Sequence, residues 1–158
     1  MIRVTQEPFD PGAEANSFQA AHVGAGAMVT FTGIVRSKPN DPITALILEC
    51  YPELAENELA AIRETALSRF GLIDALIIHR HGRLVPGETI MMVATLAPHR
   101  QAAFEGAQFL MDYLKTGAPF WKQEETPTGL RWVDANVEDD TARERWADGT
   151  STVPKAEK

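Results

Sequence analysis

Two apolar runs, residues 75–83 (ALIIHRHGR) and Thr89–Ala97 (TIMMVATLA), flank the tetrapeptide Val85-Pro86-Gly87-Glu88. Proline fixes φ near the value needed at the second position of a type II turn, and glycine takes the positive φ needed at the third. The two runs are therefore predicted to fold back as an antiparallel hairpin, which excludes an all-helical chain. A second hairpin is predicted from residues 119–126 and 130–137 around TPTG. Residues 1–6, 26–36 and 43–51 read as further strands, and SKPNDP (37–42) as a loop by composition.

Helical segments lie between these strands. Residues 10–22 offer Asp10 as N-cap and Pro11 as first residue. Residues 52–70 place Ala55, Leu59, Ile62, Ala66 and Phe70 at helical spacing, with Gly71 suited to the C-cap. Residues 99–115 do the same with Ala103, Ala107, Leu110 or Met111, and Leu114. Helices and hairpins are mixed without strict βαβ alternation, so the predicted class is α+β, with mixed or antiparallel sheets and packed helices.

A chain of 158 residues with 44% apolar content is expected to form one domain, residues 1–137, followed by a polar, partly disordered segment, 138–158. The net charge of −7 argues against nucleic acid and against anionic membrane surfaces as partners. Any bound anion must find a local basic cluster. Cys50 is the sole cysteine, so no internal disulfide and no paired-thiolate zinc site is available. Its place in a strand pattern suggests a buried, inert thiol. The first residues carry no apolar leader, and the longest apolar run is about half the length of a bilayer span. A cytoplasmic location is expected.

Within DYLKTGAPFWKQEE (residues 112–125), Lys115 and Lys122 flank two helix breakers, Gly117 and Pro119. One lysine is predicted at a helix end and the other on the following strand. There Phe120, Lys122 and Glu124 share one face, and Trp121 and Gln123 the other. A lysine among aromatics suits acid, base or nucleophilic work; a gatekeeper on an edge strand has the same pattern. A cation at Lys115 also complements a helix C-terminus. At the other end of that helix, Pro98 makes a good first residue but Ala97 a poor cap. His99 and Arg100 put positive charge where the dipole is already positive. That suits a phosphate or carboxylate, or an arginine directed outward. Arg36 ends a strand just after Gly33, where backbone can approach a ligand, although a plain surface arginine has the same pattern. His79 and His81 stand two apart on one strand face with no third ligand at a telling distance, so no metal is expected. The chain has no P-loop, GxGxxG, HExxH or GxSxG motif. Residue chemistry alone gives a candidate anion pocket from Arg36, His99, Arg100, Lys115 and Lys122, and no reaction.

The segments VTFTGIVR, LECYPELAENEL, IHRHGRLVPGE, PHRQAAFEGAQFLMDYLK and APFWKQE follow in the order and spacing of one family. Over residues 28–133 the chain resembles the large, catalytic subunits of molybdopterin synthase. The resemblance implies an α/β hammerhead fold and a sulfurtransferase that needs no cofactor or metal of its own. Its implied reaction adds two sulfur atoms to cyclic pyranopterin monophosphate, making the dithiolene of molybdopterin. The implied sulfur donor is a separate small ubiquitin-like subunit bearing a C-terminal Gly-Gly thiocarboxylate. A central dimer of large subunits, and hence a heterotetramer, is also implied. By the same resemblance Lys115 and Lys122 are catalytic. Ile34, Val35, Arg36, His99, Arg100, Gln123 and Glu124 join them in binding substrate. The pattern departs at Pro98, where many relatives carry a small hydroxyl residue, and at Asn136, where some carry a basic one. A non-catalytic scaffold for a ubiquitin-like protein or a pterin would keep the apolar surface but have no use for both lysines.

Overall fold

A computed structural model describes residues 1–133, 141–142 and 144–147. Its strands are β1 (Ile2–Thr5), β2 (Ala27–Ile34), β3 (Ala45–Glu49), β4 (Asp74–Arg80), β5 (Gly82–Leu84), β6 (Thr89–Ala97), β7 (Trp121–Thr126) and β8 (Gly129–Trp132). Its helices are α1 (Pro11–Ala20), α2 (Pro52–Phe70) and α3 (Arg100–Thr116). The strands form two sheets, ordered β1-β4-β6-β2 and β5-β3-β7-β8. All pairings are antiparallel except β1 with β4. The α+β class expected from the sequence is the one observed.

Strands β4 and β6 explain why the first sheet sits at the centre. They are continuous apolar runs, so both faces must be covered. Ala75, Ile77, Met91 and Val93 pack under α2 and α3 with Leu59, Ala66, Phe109 and Leu110. Leu76, Ile78, Met92, Ala94 and Leu96 face the other way and pack with Phe18 of α1. Asp10 caps α1, its Oδ1 accepting from the amides of Gly12 and Ala13 at 2.9 and 3.2 Å. Gly71 closes α2 in the left-handed conformation, φ 64°.

The expected hairpin forms, but its first strand is shorter than the apolar pattern suggests. Strand β4 ends at Arg80, and Gly82, at φ 93°, redirects the chain so that β5 joins the second sheet. Residues 75–83 thus serve two sheets, because glycine permits a turn that the surrounding pattern conceals. The Val85–Glu88 turn connects β5 to β6, with Gly87 at φ 93° and the Glu88 amide donating to the Val85 carbonyl at 3.1 Å. Val35, Ile43, Leu48 and Leu84 form a small core against the second sheet.

Helix α3 begins one residue later than the sequence suggests. Its N-cap is His99, which makes no side-chain capping bond, and Pro98 lies before the cap. The Thr95 hydroxyl donates to the Ala103 carbonyl at 2.7 Å and ties α3 to β6. Beyond β8, Trp146 packs edge-on against Phe70 and Phe109, with ring centroids 5.5 and 5.4 Å away. Its indole Nε1 donates to the buried carboxylate of Asp112 at 2.6 Å. Most of the tail expected from the sequence, and Asn136 with it, lies outside the described residues.

Candidate active site

The end of α3 is what brings the two lysines together. The amides of Gly117 and Ala118 both donate to the Tyr113 carbonyl, at 2.7 and 3.2 Å, and close the helix. The Phe120 amide then donates to the Ala118 carbonyl at 2.8 Å, a tight turn that starts β7. Strand β7 pairs with β3, placing Lys122 opposite Leu48. The chain thus reverses within a few residues, and Lys115 and Lys122 line one cavity of about 220 Å³.

The remaining walls are mostly apolar. They include Phe31, Thr32, Gly33 and Ile34 of β2, Leu46 of β3, Met91 of β6 and Leu114 of α3. The register of β2 against β6 shifts between Gly33 and Ile34, which interrupts strand alternation and lets consecutive β2 residues reach the cavity. A Cβ on Gly33 would lie 3.0 Å from the Met91 side chain, so the glycine also meets a packing demand.

The third polar wall is His79, on β4. Its ring is 5% exposed and lies flat on Phe120, with centroids 3.8 Å apart and planes 14° from parallel. Nδ1 is 2.8 Å from the Arg80 carbonyl oxygen. A carbonyl only accepts, so Nδ1 carries the proton and Nε2 keeps its lone pair. Burial, with the two lysines adding repulsion, pushes the imidazole pKa down to about 4. The ring is neutral at physiological pH. The pairing of His79 with His81 suggested by the sequence dissolves. His81 follows the end of β4 and lines a separate cleft with Cys50, Tyr51, Trp121 and Trp132. Among the described residues no cluster of three or more His, Cys, Asp or Glu could hold a metal.

Of the other residues singled out by sequence, Ile34 alone is on the described cavity wall. Ile34 lines the cavity, whereas Val35 is buried in the small core, its amide donating to the Glu88 carbonyl at 2.9 Å. Arg36 is exposed just beyond β2. His99 and Arg100 are exposed at the N-terminal end of α3, with Lys115 near its opposite end. A helix of this length spans roughly 25 Å, so one copy of the chain does not bring them to the lysine cavity. Gln123 pairs with Ile47 and Trp132 along the second sheet. Glu124 is engaged by Arg131 at 2.5 Å, and Arg131 also reaches Asp41 at 2.7 Å. Cys50 is half-buried rather than fully enclosed, because β3 ends at Glu49 and the thiol faces the aromatic cleft. Burial still raises its pKa.

Two lysines and one buried imidazole line a mostly apolar cavity, an arrangement that can hold an anion. Comparison with known proteins supplies the class. The family described as "MoaE protein" matches residues 4–117, and the chain belongs to it. It is 54% identical over 145 residues to the molybdopterin synthase catalytic subunit of Cereibacter sphaeroides, covering 92% of this chain and 99% of that one. It is 47% identical over 146 residues to the subunit of the same name from Escherichia coli, covering 92% and 97%. Among solved structures, the molybdopterin biosynthesis MoaE protein of Burkholderia ambifaria superposes with a TM-score of 0.78 at 46% identity, covering 93% and 98%.

Proposed function

We propose that this chain is the catalytic subunit of a molybdopterin synthase. It transfers two sulfur atoms to cyclic pyranopterin monophosphate from the C-terminal thiocarboxylate of a small ubiquitin-like subunit. The observation that carries this is the convergence of Lys115 and Lys122 on one cavity in a chain of this family. Both reactants are anionic, and both require cationic groups that hold charge without filling the site. A lysine within reach can protonate the leaving oxygen at each transfer. In this reading the glycine tail, whose backbone must lie close to the wall, passes the small residues Gly117 and Ala118 at the exit of α3.

The separation between α3's two ends gives the central dimer a chemical purpose. A second copy would bring its own His99 and Arg100 to the mouth of the cavity, where the substrate phosphate would meet them, free amides at a helix start and this copy's Arg36, two residues beyond Ile34. Pro98 contributes no hydroxyl there. Ile34 then forms a wall of the pocket, while Gln123 and Glu124 belong to the strand that carries Lys122 and are not reacting groups. Residues 1–137 are the catalytic domain in this reading, 138–158 a polar extension, and the cytoplasm the setting. No helix among the described residues is long and apolar enough to cross a membrane.

Calorimetric titration of the small subunit, with and without its two terminal glycines, into wild type and Lys115→Glu tests this placement. Deleting the glycines should abolish turnover, and Lys115→Glu should weaken tail engagement by like-charge repulsion. Equal binding and equal turnover in every combination would remove the tail from this cavity.

A further inference from the structure

We infer that His79 is a positioning residue for the transfer, its unprotonated Nε2 accepting a hydrogen bond from the Lys122 ammonium and fixing that group's direction in the cavity. The inference deepens the proposed function and rests on it.

Three features of the geometry point this way. The imidazole is held on two sides: the Arg80 carbonyl takes the Nδ1 proton, and the Phe120 ring covers one face. Only Nε2 is left to present a lone pair. Phe120 stands two residues before Lys122, just ahead of β7, so the segment that clamps the imidazole leads directly into the strand that delivers the lysine. Among the described residues, His79, Lys115 and Lys122 are the only titratable side chains lining the cavity. Of the two lysines, Lys122 exerts the larger repulsion on the imidazole.

The choice of a neutral acceptor has a chemical reason. An ammonium on a long flexible stem must be aimed if it is to meet a developing charge. A carboxylate would aim it, but would also neutralise it and repel a phosphate and a thiocarboxylate. A neutral imidazole orients the ammonium and leaves its charge for the substrate. An imidazole that protonated at neutral pH would lose the lone pair and add a third cation. Burial under Phe120 prevents that.

Three substitutions separate orientation from packing. His79→Phe keeps the stack and loses both nitrogens. His79→Asn keeps a donor toward the Arg80 carbonyl and loses the group at Nε2. His79→Gln places an amide oxygen near the Nε2 position. Misaiming a catalytic group costs about 10-fold to 100-fold in rate, so kcat should fall by that range in His79→Phe and His79→Asn. In His79→Gln it should stay within about threefold of wild type, with KM for the pterin little changed in all three, as expected for an interaction used in the transition state. Melting temperatures measured in parallel should not follow the order of kcat. If kcat follows stability, or if His79→Asn outperforms His79→Gln, the residue is a packing element and the inference is wrong. A measurement on the wild-type side chain covers the case in which the variants do not fold. In protein labelled with ¹⁵N-histidine, the His79 Nε2 resonance should shift in Lys122→Met relative to wild type. An unchanged resonance would overturn the inference even where turnover confirms the enzyme. Absence of turnover in wild type would instead count against the proposed function and leave the resonance test standing.

Discussion

Replacing His79 with glutamine should flatten the acid side of the protein's stability profile. In the folded chain the imidazole pKa lies at about 4, against 6.5 in its ordinary state. A pKa depressed on folding means the unfolded chain binds the proton first. Stability is therefore complete above the unfolded value and declines as pH falls toward the folded value. The full span corresponds to about 3 kcal/mol at roughly 1.4 kcal/mol per unit. About 2 kcal/mol of it is lost between about pH 7 and pH 5, where the unfolded imidazole is largely charged and the buried one is not. Glutamine does not titrate, so His79→Gln lacks this term while other acid-sensitive groups remain. Urea unfolding at the two pH values measures it. Wild type should lose about 2 kcal/mol more than the variant between them. Equal losses would mean that His79 is not buried as a neutral ring, and the electrostatic description of the cavity would fail with it.

Lys122→Ala should lower sulfur transfer by about 100-fold or more with the fold intact, since it removes a group acting in the transition state; activity within a few-fold of wild type on folded protein would contradict its role. Trp146→Ala should cost about 2–3 kcal/mol, less than a fully enclosed tryptophan because the ring is half-buried. Chemical denaturation reads that loss, and an unchanged midpoint would mean that the docking against Phe70 and Phe109 contributes nothing. Cys50→Ser should leave turnover essentially intact, because in the proposed function both sulfurs come from the small subunit's thiocarboxylate and Cys50 lines a different cleft; loss of activity at normal stability would give the thiol a part in the transfer.

What could be read from the sequence was local. Asp10, Pro11 and Gly71 act through their own backbone geometry, so the limits of α1 and α2 follow from residue type. The same holds for the Pro86-Gly87 turn and for the helix break at Gly117–Pro119 that carries Lys122 back toward Lys115. What stayed hidden depends on residues distant in the chain. Gly82 looks like one more residue of an apolar strand, and only pairing with β3 reveals that it moves the chain to a second sheet. The burial of His79 comes from Phe120, forty-one positions away, and from the covering of the cavity, neither of which alternation along β4 encodes. The anomaly of positive charge at the start of α3 is visible in sequence. The distance that separates it from Lys115 follows from helix length, which the sequence also holds, but a list of pocket residues drawn from resemblance does not distinguish one copy from two. Trp146 reads as tail because its partners, Arg69, Phe70, Phe109 and Asp112, belong to helices placed earlier in the chain.

The central claim is that this cavity passes sulfur from a carrier tail to a pterin. The most direct test mixes purified chain, thiocarboxylated small subunit and cyclic pyranopterin monophosphate, and follows the pterin product by mass spectrometry. The account predicts a product carrying two added sulfur atoms, with two equivalents of carrier converted from thiocarboxylate to carboxylate for each pterin. It also predicts no such product when Lys115 and Lys122 are both alanine in a folded chain. A pterin that acquires no sulfur with wild type, or equal sulfur incorporation by the double variant, would contradict it.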